Sequence, residues 1–588
     1  MFLMRKILKS IIAGVVVTSL LSLFSAYAAE KKPLAKLAIT GVEGDLKKAL
    51  EKHLPVNLPE CESPKAEISD YFRALKSSLR KGGRALGYYD AVFTSGGKEV
   101  DGCWEISLDI EPGRPVQVVS QFIEVLGAGA NEPQFREAMK KPPYQQNDIL
   151  NHQLYDEFKT RLTETADTLG YLDAVYEQKA VSVDPLAYEA KVNLVLNTGP
   201  RYTFGDVTIE QDVLSDELVK RFIKINPGTA FSTDKVIKQQ QAFQRSGYYS
   251  VVDVDVDIKN AKDQQIPVSI KLVRAKRNKY KYTAGYGTDS GPRVKAELTR
   301  RWTGPKGRKL QGSIQLAQNL STVSAELIEP RENPDVDALK YLVDWTYDTT
   351  NDVESQSFRF GAEYKRKVDS DWEQAVFINT LLDRTKSVGG ISDDSVLTLA
   401  GGRLAKTSIK NEDAGAGTTG WRVSMKAQGA VDNLLSDQSI AQISGSGKFI
   451  FPVGKGRVIS RVDVGATNAG ELEDLPKSLR FFAGGGNSVR GYDFEAIGEM
   501  NSSGSVIGGK HLLAGSVEYE YPIQESWGVA VFVDAGDAFN SWGDMDLNYG
   551  VGVGARYRSP IGPVRVDVGF PDGKFGDATF HLSVGPDL

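Results

Sequence analysis

The stretch AGGGNSVRGYDFEAIG, residues 483–498, sets a single guanidinium, Arg490, among glycines and just ahead of Gly491-Tyr492. An arginine is always charged, and its planar fork can hold carboxylates through paired hydrogen bonds that a lysine cannot copy. The chemistry open to it is a charge-assisted lock, set against the plainer reading of a solvated loop arginine. Other reactive arrangements do not emerge. The four histidines, His53, His152, His511 and His581, are scattered without ligand spacing, so no metal is expected. No G-x-S-x-G elbow occurs, and SGSGK at 444–448 lacks the spacing and the Ser/Thr of a phosphate loop. The chain reads as a non-enzyme without a cofactor, a membrane-embedded hydrolase being the rival of a different class.

The elements that must position Arg490 lie on either side. From about Lys279 the sequence becomes a succession of alternating runs of 8–15 residues, separated by Gly, Asp, Asn and Ser turns. In KYKYTAGYG (279–287), Tyr280, Tyr282, Ala284 and Tyr286 share one face. In YGVGVGARYR (549–558), Tyr549, Val551, Val553, Ala555 and Tyr557 oppose glycines and arginines, and Val564, Val566, Val568 and Phe570 oppose Arg565 and Asp567. Period two puts each set on one sheet face. These runs approach the 9–11 residues a tilted strand needs to cross a bilayer. Aromatics recur near their ends, at Tyr280, Trp302, Trp421, Trp527 and Tyr557. No second element with a matching apolar face is left to cover so large a sheet, so a closed antiparallel barrel of about 16 strands is expected over 276–588, apolar side to lipid and charges inward.

Arg490 then sits in a long connection between a strand ending near Thr467 and one beginning near Lys510. Connections of that length are usually functional or disordered. Alternation sends Leu513, Val517, Tyr519 and Tyr521 outward, which turns Glu518 and Glu520 into the lumen. Trp527, Val529, Val531 and Val533 face out, which turns Asp534 in. Inward carboxylates thus await a cation.

Before the barrel a unit recurs. LGYYDA begins at Leu86, LGYLDA at Leu169 and SGYYSV at Ser246, with Gly87, Gly170 and Gly247 spaced 83 and 77 residues apart. Each hexamer ends a helix-like stretch (Asn147–Leu169 before the second copy, Ser232–Ser246 before the third) and begins a strand, with glycine suited to the left-handed position past a helix end. The third copy reads as strand 202–210, helices 215–224 and 232–246, and strands 248–258 and 266–274. The expected α+β domains span 29–112, 113–199 and 200–275.

The N-terminus adds a cationic stretch (Arg5, Lys6, Lys9), an apolar run from Ile11 to Leu23, and Ala26-Tyr27-Ala28. That order reads as a secretory signal peptide over 1–28. In an exported chain the two cysteines, Cys61 and Cys103, both in the first repeat, read as a disulfide, with two buried thiols as the alternative. A net charge of -5 argues against nucleic acid as a partner. The mean hydropathy of -0.29 suits a barrel whose inward residues dilute the apolar signal.

The repeats resemble polypeptide-transport-associated (POTRA) domains. RFFAGGGNSVRGY (480–492), GSVEYEYP (515–522), VFVDAG (531–536) and GVGVGARYRSPIGPVRVDVGFP (550–571) closely resemble the signature blocks of the BamA outer-membrane assembly superfamily, in family order. That resemblance implies that the motif Val489, Arg490, Gly491 and Tyr492 folds into the lumen and that Arg490 meets Glu518 and Asp534. Three repeats and the ending FHLSVGPDL look most like the TamA branch. The resemblance implies an outer-membrane location with repeats in the periplasm. It also implies assistance to autotransporters and other barrels, with unfolded clients, outer-membrane lipid and a TamB-like inner-membrane-anchored protein as partners. A two-partner-type secretion pore and a periplasm-spanning lipid-transport partner are the alternatives.

Closure of the barrel would pair the first strand, with Tyr282, Ala284 and Tyr286, with the last, with Phe580, Leu582, Val584 and Gly585. Pro586 comes next and has no amide to donate. A short ladder of a few residues is expected there, forming the weakest seam and a lateral gate.

Overall fold

The computed structural model describes residues 33–55, 57–288, 291–334, 336–350, 353–368, 371–387, 392–411, 418–559 and 562–584. The signal-peptide reading, and the seam positions Gly585 and Pro586, lie outside these residues.

Each repeat has the same wiring. The first contains β1 (Lys36–Thr40), α1 (Gly44–Glu51), α2 (Lys65–Ala85), β2 (Val92–Val100) and β3 (Cys103–Glu111). The second contains β4 (Gln117–Leu126), α3 (Pro133–Met139), α4 (His152–Leu169), β5 (Val175–Asp184) and β6 (Glu189–Asn197). The third contains β7 (Thr203–Glu210), α5 (Asp216–Arg221), α6 (Thr233–Ser246), β8 (Tyr249–Val256) and β9 (Gln265–Arg274). The last strand of each takes the centre of a three-stranded sheet, in the orders β1-β3-β2, β4-β6-β5 and β7-β9-β8. In the first two repeats it runs parallel to the first strand and antiparallel to the hairpin partner.

The local causes are clearest in α4. Tyr155, Phe158, Leu162, Ala166 and Leu169 recur at helical spacing and are buried against Val118, Val192, Leu194 and Leu196. Burial of Phe158, Leu162 and Leu169 contributes about 1.5–3 kcal/mol each. The Asn151 side chain accepts from the Gln153 amide and caps the helix. The helix therefore starts at His152, not at Asn147 as periodicity predicts, and the Leu150 amide instead reaches the Val116 carbonyl. At the other end Gly170 takes φ 88° and its amide closes onto Ala166 and Asp167. Cys61 and Cys103 form a disulfide in the first repeat, with Cα atoms 4.0 Å apart, joining the segment before α2 to the start of β3.

By compactness the described chain divides into one unit holding the first two repeats with 228–234 and 261–266, and another holding most of the third repeat and everything from Pro267 onward. The second unit contains a sheet of sixteen strands. They are β10 (Asn278–Gly287), β11 (Gly291–Arg300), β12 (Lys309–Ala317), β13 (Leu320–Pro330), β14 (Ala338–Asp348), β15 (Val353–Lys367), β16 (Glu373–Ser387), β17 (Ser392–Asn411), β18 (Thr418–Ala430), β19 (Ile440–Val453) and β20 (Gly456–Asn468). Inside the long connection lies a small hairpin, β21 (Glu499–Met500) and β22 (Val506–Gly508). The barrel resumes with β23 (His511–Pro522), β24 (Trp527–Phe539), β25 (Asn548–Ser559), β26 (Gly562–Pro571) and β27 (Thr579–Val584). Each strand pairs antiparallel with the next, β20 pairing with β23 across the connection.

Burial on these strands is inside out. Val531 and Val533 are each 55% exposed while Glu518 is 6% and Asp534 0% exposed. Water would reverse that order, whereas lipid outside and a packed polar lumen produce it.

Candidate functional site

The connection 469–510 folds back into the barrel and is fastened at two levels. At the end away from the third repeat, Leu472, Leu475, Leu479 and Ile507 pack on wall residues that include Val353, Leu397, Leu399 and Ile440. Lys477 is buried among them, its Nζ donating to Asp348 Oδ1 at 2.9 Å and to the carbonyls of Thr350 (2.8 Å) and Val353 (3.1 Å). Its charge is therefore matched, as burial demands.

Deeper in the lumen lies Arg490. Its Nε and Nη2 donate to the two Asp534 oxygens at 2.7 and 2.9 Å, and its own amide donates to Asp534 at 3.0 Å. Nη1 donates to Glu518 at 2.5 Å and to Asp567 at 3.4 Å. Nη2 also reaches Ser516 Oγ at 3.2 Å. The guanidinium carbon stands 3.4 Å from the centre of the Phe532 ring, so one flat face is stacked while the edge is fully bonded.

The structure thus brings together Arg490, Glu518 and Asp534, and adds partners that sequence reading missed. Arg556 donates to Glu518 (2.7 Å), Glu520 (2.9 Å) and Asp567 (2.6 Å), and Arg457 donates to Glu520 at 2.6 Å. Three arginines and four carboxylates form one continuous buried network. Removal of any one charge would leave the remaining buried charges out of balance and incompletely paired. The signal for Arg556 and Asp567 was present, since both fall on inward positions of alternating runs, but alternation does not say which inward residues meet.

Glycines explain the close approach. Gly550 on β25 and Gly569 on β26 face the loop tip, where an added Cβ would overlap the Arg490 carbonyl and the Gly491 amide respectively. Gly491 itself has φ 103°, a region disfavoured for side-chain-bearing residues. Its amide donates to His581 Nε2 at 3.1 Å and its carbonyl accepts from Thr579 Oγ1 at 2.8 Å. The Tyr492 hydroxyl donates to Asp572 at 2.9 Å. Val489 is fully buried with Ala483 and Ile497.

The seam departs from expectation. Among the described residues no ladder joins β10 to β27. The Leu582 amide, which a closed seam would aim at a β10 carbonyl, donates instead to Thr288 Oγ1 at 3.4 Å. Strand β27 has six residues and all six pair with β26, so its order comes from that side and from the loop. Tyr282, Tyr286, Phe580 and Val584 are exposed on the outer surface, as is Ala284, and Leu582 is half-buried.

A family model for the Omp85 superfamily domain matches residues 231–587. The chain belongs to the Omp85 superfamily. A second model, for the first POTRA domain of TamA, matches residues 36–112. The outer membrane protein assembly factor BamA of Nitratidesulfovibrio vulgaris is 23% identical over 406 residues, 63% of this chain and 49% of that protein. The Arabidopsis thaliana outer envelope protein 80, chloroplastic, is 28% identical over 152 residues, covering 24% of this chain and 18% of its own length. This chain therefore spans about half, or less, of these relatives. The crystal structure of Haemophilus ducreyi BamA lacking POTRA domains 1–3 superposes with a TM-score of 0.60 at 16% identity, covering 78% of this chain and 98% of that one, which shows a shared fold. The barrel accordingly lies in the outer membrane, and the POTRA repeats lie in the periplasm.

Proposed function

We propose that this Omp85 protein is a non-enzymatic insertase subunit that helps autotransporters and other β-barrel clients enter the outer membrane. One observation carries the reading: the outer edge of β10, Asn278–Gly287, has no ladder partner among the described residues. Unpaired strand edges template an extended segment with little sequence demand. A client strand adding to β10 would satisfy its own backbone groups inside the bilayer, where no water can do so. The sheet edges of the repeats would receive the same clients earlier, in the periplasm. A TamB-like inner-membrane-anchored protein would dock on the repeats, and outer-membrane lipid would border the seam.

The loop-filled lumen speaks against a steady secretion pore of the two-partner type, which would conduct ions continuously. The deciding experiment pairs cysteines between 281–287 and 581–584 and follows client assembly in vesicles. A disulfide that shuts the seam should stop assembly, and reduction should restore it. Assembly at the wild-type rate with the seam locked would end the proposal. Depletion followed by an inventory of outer-membrane proteins and lipids separates client insertion from the lipid-transport reading.

A further inference from the structure

The three Gly-Tyr motifs share more than their sequence. Gly87, Gly170 and Gly247 all adopt positive φ, at 86°, 88° and 72°. In the first two copies the glycine carbonyl receives the chain entering the next repeat: Gly87 O accepts from the Val116 amide at 2.9 Å and Gly170 O from the Tyr202 amide at 2.8 Å. The aspartate three residues after each glycine accepts a tyrosine hydroxyl, Asp90 from Tyr188 at 2.7 Å and Asp173 from Tyr202 at 3.0 Å. These motifs serve as repeat-to-repeat junctions.

The third copy has Ser250 in place of that aspartate, and it leads into the barrel instead of another repeat. Here Tyr248, 1% exposed, donates its hydroxyl to the Gly307 carbonyl in the turn between β11 and β12. Lys309 donates to the Ser246 carbonyl at 2.6 Å, and its ammonium stands 4.7 Å from the centre of the Tyr248 ring. The Ser215 amide donates to Pro305 O at 2.9 Å. Gly307 has φ 65°, and a Cβ there would come 2.9 Å from the Tyr248 hydroxyl. The same turn also holds the linker into β10. The Arg301 amide and Nη1 donate to the Arg277 and Lys276 carbonyls at 2.8 and 2.7 Å, and Arg277 Nε donates to Trp302 O at 3.1 Å. The Ala275 amide closes back on Tyr248 O at 2.8 Å.

We infer that Tyr248, Gly307 and Lys309 are positioning residues: they clamp the third repeat to the β11–β12 turn and so fix the root of β10, the strand whose outer edge has no ladder partner among the described residues. The clamp stands on these contacts alone; its consequence for client assembly rests on the insertase reading above. An edge strand gains from a fixed root because a template whose register wanders pairs poorly.

The test uses the full chain in phosphatidylethanolamine–phosphatidylglycerol vesicles, with nitroxide labels on exposed Lys238 and Gln524. Their separation is followed in the wild type, in Tyr248→Phe, Lys309→Met and the double variant, and in Lys309→Arg, which keeps a cation over the ring. Heat-modifiable mobility checks that each barrel is folded. The wild type and Lys309→Arg should give one narrow distance population, and each lost contact should raise the undocked population about fivefold. Assembly of a urea-denatured eight-stranded barrel should slow in step and be kept by Lys309→Arg. An unchanged distance population in the double variant overturns the clamp. A broadened population with wild-type assembly overturns the positioning role. A wild type that assembles nothing overturns the insertase reading, while the distances still decide the clamp.

Discussion

The backbone N–H of Gly491 points at Nε2 of His581, 3.1 Å away. A loop that enters the lumen between β20 and β23 is thereby tied to the last strand of the barrel. Together with the Thr579 hydroxyl on the Gly491 carbonyl, this contact holds β27 from inside. Among the described residues the six-residue strand has one ladder partner, β26, so the loop supports the strand that borders the seam.

His581→Ala should therefore loosen β27, because the buried Gly491 amide loses its acceptor at a cost of about 1–3 kcal/mol. Faster hydrogen exchange across β27, with the repeats unchanged, is the expected result. Wild-type protection there would sever the proposed link.

Arg490→Lys should impair barrel folding almost as much as Arg490→Ala. A lysine supplies charge but no planar fork, leaving Asp534 or Glu518 incompletely paired at a cost of about 3–5 kcal/mol. Denaturant midpoints of the heat-modifiable form measure this, and a lysine variant that behaves like the wild type would exclude a fork-specific lock.

Gly550→Ala should push the loop tip off the wall, since its Cβ would overlap the Arg490 carbonyl. A loss of about 1–3 kcal/mol is expected for such overpacking, with protease cleavage appearing between 483 and 498. Gly543→Ala serves as the control, because its Cβ meets Ser541 Oγ at an ordinary 3.8 Å.

Reduction of the Cys61–Cys103 disulfide, which spans 42 positions, should destabilise the first repeat by about 4 kcal/mol on the chain-entropy model. Hydrogen exchange in the first repeat should rise while that in the barrel holds. A first repeat equally protected with and without reductant would contradict this.

Alkali should weaken the second repeat. Burial pushes the Tyr144 phenol up to about 12 from its ordinary 10.0. The folded state thus keeps a proton that the unfolded chain gives up above pH 10.0. Tyr144's contribution is whole below that pH and is lost as pH rises toward about 12. In the full chain, exchange protection of α4 should fall with pH across this window, and Tyr144→Phe should flatten the slope.

The repeated Gly-Tyr hexamers and the switch to period two were enough to divide the chain into α+β repeats and a barrel, because both signals are local consequences of helix ends and strand faces. Alternation likewise placed Glu518 and Asp534 on the inner face without any knowledge of their neighbours. It could not say that Arg556 and Asp567 would join them, since those residues meet only where β23, β25 and β26 curve around one lumen. Nor could it find Phe532 beneath the guanidinium or Lys477 beside Asp348, because a loop carries no periodicity. The seam was read from the end of the chain as a short ladder. Only the barrel's closure geometry decided that the Leu582 amide would meet a side chain rather than the backbone of β10. Local pattern fixes which face a residue takes, and the three-dimensional path of the sheet fixes which faces come together.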